Sequence, residues 1–180
     1  MGKCCQFLTF HLSALAIVLS CCSLAMAQTD SKAPAKEGKV DKMPLKAGPE
    51  DKLEKVAPGK VDADASAEFK TTTSGLKYRI LRKSEGKKPG PGDKVTVHYK
   101  GWLDDGSIFD SSYRRAEKIS FGLNQVIKGW TEGMQLVGVD GMIELEIPYE
   151  LGYGVRGTPG GPIPPKANLH FVVELFSIGN

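Results

Sequence analysis

The chain has 180 residues, 41% of them hydrophobic and 25% charged, which fits one soluble globular domain plus an additional segment. Its 24 Lys and Arg stand against 21 Asp and Glu, and the net charge of +3 is spread along the chain. Charge therefore gives nucleic-acid binding no support.

The opening MGKCCQFLTFHLSALAIVLSCCSLAMAQTD places Lys3 before an apolar run from Phe7 to Leu24 and the small-x-small pattern Ala25–Ala27. That is the layout of a secretory signal peptide over residues 1–27, cut after Ala27. Two other fates fit the same residues. The run is nearly long enough for an uncleaved anchor, against which His11 and several serines count, and VLSC (Val18–Cys21) resembles a bacterial lipobox that would leave a lipidated Cys21. A myristoylation signal is poor, because position 6 is Gln6 rather than Ser or Thr. The expectation is an exported protein, periplasmic or secreted, which meets a membrane only through such an anchor. All four cysteines (Cys4, Cys5, Cys21, Cys22) lie in this leader, so the folded part is expected to rest on its core without disulfides.

Residues 28–69 are rich in Lys, Asp, Glu, Pro, Ala and Gly, with few large apolar residues and no sustained period. Such a composition predicts a flexible tether, since it offers little surface to offset the entropy of ordering. From residue 70 the pattern changes. GLKYRILRK (Gly75–Lys83) reads as a strand, and KVTVHYKGWL (Lys94–Leu103) alternates, with Val95, Val97, Tyr99 and Leu103 on one face. GMIELEIP alternates likewise through Ile143, Leu145 and Ile147, and NLHFVVELFSI through Leu169, Phe171, Val173 and Leu175. In QVIKGWTEGMQLV, Val126, Trp130, Met134 and Val137 recur at helical spacing. Gly129 and Gly133 weaken this helix, so packing must hold it. The pieces predict an α+β domain over residues 70–180, a twisted antiparallel sheet wrapped around one short α-helix.

Between two of these strands lies a Gly/Pro-rich run, GYGVRGTPGGPIPPKAN (Gly152–Asn168), of a length uncommon inside a compact domain and usually functional or disordered, though by composition alone it reads as a plain connector. His98 and His170 fall on the outward strand faces without a Cys or carboxylate at metal-ligand spacing, and read as solvated surface histidines. Glu144 and Glu146 point together toward the outer face, as solvent-facing residues would. Nothing resembles a nucleophile elbow, a P-loop or a dinucleotide fingerprint. What stands out is a set of residues beside turns: Tyr99, Phe109 with Asp110, Val126 with Ile127, Trp130, Tyr153 and Phe171. Each alone reads as core, since inward-facing aromatics are ordinary, but their concentration beside turns leans toward an apolar pocket.

VHYKGWLDDGSIFDSS (Val97–Ser112), QVIKGWTEGMQLV, YGVRGTPGGPIPP and LHFVVEL occur in an order and at intervals that resemble the FKBP-type peptidyl-prolyl cis-trans isomerases. The resemblance covers Ser74–Asn180 and is nearest to exported microbial members of the family, those like the macrophage infectivity potentiator proteins. It implies the same sheet-on-helix fold, an FKBP-like one. It implies Trp130 as a pocket floor for a proline ring, with Tyr99, Phe109, Val126, Ile127 and Phe171 as walls. The Ile127 N–H would hold one substrate carbonyl and the Tyr153 hydroxyl another. Asp110 would line the rim and pair with Arg115, and Ile163 would cap the pocket from the Gly/Pro loop. Ile119 stands where the family usually has an aromatic wall residue, and Thr158 where some members have a histidine or aromatic. The implied partners are proline-containing polypeptides and macrolides of the rapamycin type; no cofactor or metal is implied, and a monomer is expected. A chaperone or proline-segment binding module would use the same pocket without turnover.

Overall fold

The computed structural model describes residues 45–179; the leader with its four cysteines, and residues 28–44 of the expected tether, lie outside the described residues. The sheet follows from the alternation. Seven strands pair antiparallel: β1 (Lys70–Thr71), β2 (Lys77–Arg82), β3 (Lys94–Trp102), β4 (Ile108–Ser111), β5 (Ile119–Gly122), β6 (Met142–Ile147) and β7 (Leu169–Gly179). Their spatial order is β1-β2-β6-β7-β3-β4. The long strand β3 serves two short partners on its free edge, β5 along Lys94–Val97 and β4 along Lys100–Trp102. The strands β1, β4 and β5 have two to four residues each, too few to show a period in the sequence.

The helix α1 runs over Lys128–Met134, shorter than its apolar period suggested. Leu123–Gln125 form a 3₁₀ turn, and Ile127 caps the helix in an extended conformation (φ −61°, ψ 149°). A Cβ at Gly129 would sit 2.5 Å from Ile147, and one at Gly133 2.7 Å from Leu145. The glycines that weaken the helix by about 1 kcal/mol each are thus what lets its backbone lie directly on β6. Trp130 and Met134 then complete a core with Val95 and Val97, Ile143, Leu145 and Ile147, and Leu169, Phe171, Val173 and Leu175.

The opposite face corrects the sequence reading. Lys100 is 2% exposed, Glu174 3%, Glu144 6% and His98 9%. Residues 45–69 cover this side, so they are not a free tether. Lys100 Nζ donates to the Pro49 carbonyl (2.7 Å) and pairs with Glu54 (3.1 Å). The Gly59 N–H donates to Glu174 Oε1 (2.7 Å), and the Asp62 N–H to the Leu81 carbonyl (2.8 Å). Ala47 and Val61 pack on a second cluster of Leu81, Trp102, Met142 and Val172. Gly48, at φ +74°, crosses Trp102 so closely that a Cβ would lie 2.8 Å from the ring. Asp51, Glu54 and Asp62, among the charged residues that made this segment look disordered, have fixed partners, which composition does not reveal.

His98 is accordingly no surface residue. It stacks on Tyr113 (4.9 Å between centroids), meets Phe176 edge-on, and shares a 2.8 Å hydrogen bond between Nδ1 and Ser112 Oγ. Burial pushes its pKa down. His170 stacks on Trp102 at 5.7 Å and bonds Asp104 at 2.7 Å. Glu144 pairs with Arg79 at 2.7 Å, and its pKa is pushed up by burial against the pull of that arginine.

Candidate functional site

On the helix side of the sheet the strands and α1 leave a cavity of about 370 Å³. Its floor is Trp130, buried to 4% exposure by the first turn of the helix. Three rings stand around it: Tyr99 from β3 at 5.4 Å, Phe121 from β5 at 5.2 Å and Phe171 from β7 at 5.2 Å between centroids. All three meet the indole edge to face or nearly so, an arrangement favoured by the aromatic quadrupole. Phe109 extends the wall by meeting Phe171 edge-on at 5.5 Å. Val126 and Ile127 supply the aliphatic side, and Asp110, Gln125 and Tyr153 the polar mouth.

The walls touch behind the pocket at Gly101. A Cβ there would lie 2.6 Å from both Phe109 Cζ and Phe171 Cε1. Gly101→Ala is expected to push these rings into the cavity and lower affinity for a proline peptide about tenfold, the equivalent of about 1.4 kcal/mol. Titration of Trp130 fluorescence with the peptide checks it; unchanged affinity would mean that the rings yield without narrowing the pocket.

The rim is a three-membered cluster. The Tyr99 hydroxyl donates to Asp110 Oδ2, Arg115 Nη1 donates to Asp110 Oδ1 at 2.9 Å, and Arg115 Nη2 approaches the Tyr99 oxygen at 3.4 Å. Burial, helped by the neighbouring Asp110 carboxylate, pushes the Tyr99 phenol up to about 12. For Asp110, burial works to raise the pKa, but the hydrogen bonds from Tyr99 and Arg115 outweigh it and hold the carboxyl below its ordinary value. Ser112 fixes the backbone beneath: its Oγ accepts the Tyr99 N–H at 2.8 Å, and its own N–H donates to the Tyr99 carbonyl at 2.9 Å. On the helix side, Thr131 Oγ1 donates to the Leu123 carbonyl at 2.5 Å, which pins the bend that presents Val126 and Ile127. Sequence patterning gave no hint of either hydroxyl, since both act on backbone.

The Gly/Pro run forms a flap. Tyr153, 43% exposed, reaches the pocket mouth from its start. Thr158 closes the flap on itself: its N–H donates to the Ile163 carbonyl (2.9 Å), and its Oγ1 accepts the Ile163 N–H (3.1 Å). Gly157 (φ +61°) lies so close beneath that a Cβ would meet the Ile163 carbonyl at 2.4 Å.

Of the residues expected at the site, Tyr99, Phe109, Asp110, Val126, Ile127, Trp130, Tyr153 and Phe171 line the cavity. Arg115 stands one hydrogen bond out, on Asp110. Two are placed elsewhere. Ile163 is buried in the core at 5% exposure, and Ile119 pairs with Val97 at the end of β5 away from the helix. The aromatic wall on β5 is Phe121, two residues on, which sits beside a turn as the other pocket aromatics do. Gln125 was missed as well. Among the described residues no group of three or more His, Cys, Asp or Glu could hold a metal ion, and no helix is long and apolar enough to cross a membrane.

This sheet wrapped on one helix, with its aromatic pocket at the helix start, has close counterparts. The pattern of the family described as FKBP-type peptidyl-prolyl cis-trans isomerase matches residues 85–176. The FKBP-type peptidyl-prolyl cis-trans isomerase FkpA of Escherichia coli K12 is 48% identical over 109 residues, which is 61% of this chain and 40% of that relative. An FKBP-type 22 kDa peptidyl-prolyl cis-trans isomerase from the same organism is 48% identical over 108 residues, covering 60% and 52% of the two chains. The crystal structure of FkpA from E. coli superposes with a TM-score of 0.60 at 46% identity, over 63% of this chain and 52% of that one. AtFKBP13 superposes at 0.58 and 34% identity, over 63% of this chain and all of its own. The chain belongs to the FKBP-type peptidyl-prolyl cis-trans isomerase family. It spans 40% of FkpA's length.

Proposed function

We propose that this chain is a peptidyl-prolyl cis-trans isomerase that rotates X-Pro bonds in exported polypeptides. The observation that carries the reading is the ring of Tyr99, Phe121 and Phe171 standing on Trp130 around a cavity of about 370 Å³. An amide rotates slowly because resonance stiffens the C–N bond, with a barrier of about 18–20 kcal/mol, and X-Pro isomers exchange over about tens to hundreds of seconds. Nothing is broken, so no nucleophile is needed.

The twisted amide has lost resonance and is less polar than the planar one, and a dry aromatic pocket favours it. Trp130 seats the proline ring. The Ile127 N–H, ahead of the first helical turn and so without an intrahelical acceptor, and the Tyr153 hydroxyl hold the flanking carbonyls, while Asp110 faces the turning bond. Binding that strengthens as the bond twists is transition-state stabilisation, and a thousandfold acceleration needs only about 4 kcal/mol. Rapamycin-type macrolides are expected to compete for the same walls. The leader over residues 1–27 directs export in this reading, and residues 70–180 form the isomerase domain.

The test is a protease-free isomerisation assay of the full chain on a short X-Pro peptide. No rate enhancement by a folded chain would replace the isomerase with a binding module. The rate should also be nearly flat from about pH 5.5 to 9.5. Asp110, held below the ordinary carboxylate range, stays ionised above that range, and Tyr99, at about 12, stays protonated below it. A bell-shaped profile inside that window would point to a titrating acid or base that this mechanism does not contain.

A further inference from the structure

The rim of the pocket is held from behind. Residues 110–115 run from the end of β4 into the connection to β5, and their side chains divide between two sides of the sheet. Asp110 and Arg115 meet at the pocket mouth, as described above. The residues between them are gripped by the segment that crosses the opposite face. Asp51 Oδ2 accepts Arg114 Nε at 2.6 Å, and the Asp51 carboxylate is only 4% exposed. Its other oxygen accepts the Leu53 N–H at 3.0 Å, so the carboxylate is itself fixed. The Lys55 and Val56 N–H groups both donate to the Tyr113 carbonyl, at 3.1 and 3.4 Å, and Ser111 Oγ reaches Glu54 at 3.5 Å. Arg114 and Arg115 are neighbours in the chain. What Asp51 holds on one side is therefore one peptide unit from what Asp110 holds on the other.

We propose that Asp51 and Arg114 are a positioning pair, through which residues 51–56 set the Arg115–Asp110–Tyr99 cluster at the mouth of the pocket. Neither residue touches the pocket. Release of Arg114 leaves the turn tied at Tyr113 and Ser111 but lets the peptide between Arg114 and Arg115 rotate, which draws Arg115 off Asp110 and lets the Tyr99–Asp110 rim open. Geometry at a site is sensitive to such shifts, because a misplacement of about 1 Å costs up to about a hundredfold in rate. The catalytic half of the proposal rests on the isomerase reading; the coupling of the two faces does not.

The experiment uses the full chain with Asp51→Asn and Arg114→Ala, singly and together. Lys83→Ala serves as a control, since Lys83 pairs with Asp64 in an exposed contact on the arm and touches none of these residues. Two readouts are taken: kcat and KM separately on a proline peptide, and titration of the Asp110 carboxyl by carbon NMR. Each single variant is expected to lose about three- to tenfold in kcat with a smaller change in KM. The double variant should be no worse than the singles, as for two members of one interaction. Asp110 should titrate at higher pH in each, because Arg115 no longer holds its anion, and Lys83→Ala should change neither readout. Variants that melt earlier but keep the wild-type kcat and Asp110 titration would overturn the proposal, leaving the pair a purely structural clamp. If the wild type shows no isomerisation at all, the functional reading fails on its own. The coupling is then decided by Asp110: a raised titration supports it and an unchanged one overturns it.

Discussion

Trp130→Ala is expected to lose both the pocket and much of the domain's stability. The indole is 4% exposed and lies within 5.5 Å, centroid to centroid, of the rings of Tyr99, Phe121 and Phe171. Truncating a buried tryptophan costs about 3–5 kcal/mol, a large share of the total for a domain of this size, about 5–15 kcal/mol. Isomerisation should fall at least about tenfold under conditions where circular dichroism still reports a fold, since more than about 1.4 kcal/mol of floor contact is gone. Trp130→Phe separates the two effects, because a smaller ring keeps part of the packing. Urea denaturation and the peptide assay read them in parallel. A destabilised Trp130→Ala chain with undiminished kcat/KM would show that the proline ring sits elsewhere.

Glu174→Ala should produce a stability loss of comparable size on the other side of the sheet. Its carboxylate, 4% exposed, accepts three donors: the Gly59 N–H at 2.7 Å, Arg82 Nη2 at 3.0 Å and the Tyr113 hydroxyl at 2.6 Å. Deleting one side of a buried charged network strands the others, at a cost of about 3–5 kcal/mol. Glu174→Gln keeps the shape and some of the bonds, and should cost nearer 1–3 kcal/mol, roughly the penalty of leaving a buried donor unmet. Limited proteolysis should then cut between residues 45 and 69 faster than in the wild type. If Glu174→Ala unfolds at the same urea concentration as wild type, the segment is not held by this carboxylate.

Much of the helix side was legible in the sequence. Val95, Val97, Ile143, Leu145 and Ile147 announce their face by alternation, whereas each aromatic beside a turn reads alone as core, and only their concentration points toward a pocket before any family is named. The other side was not, and the reason is physical. Alternation reports which residues are apolar, not which polar residues find partners. Glu144, Glu174, Lys100 and His98 carry a polar signature and are nonetheless buried: residues 45–69 bring fitted groups to Lys100 and Glu174, Arg79 pairs with Glu144, and Ser112 and Tyr113 hold His98. The same low hydropathy that reads as a tether is what a strap across a polar face requires. Ile119 and Phe121 mark a second limit. They share parity on β5, and only the position of the helix decides which of them meets Trp130.

The strand β7 is the last element along the chain, yet it lies between β6 and β3, in the interior of the sheet. A ribosome delivers it last. Until it arrives, β3 and β6 have no common neighbour, and the faces of both the pocket and the core are incomplete. Topologies closed by such distant pairings fold slowly, because the entropy of the intervening loop must be met first. A nascent chain of this protein should therefore stay loosely organised until β7 has left the ribosome and can insert between β6 and β3. Under the export proposed for residues 1–27, in which the chain crosses a membrane as an extended thread, that delay would keep it transportable and place the moment of folding on the far side.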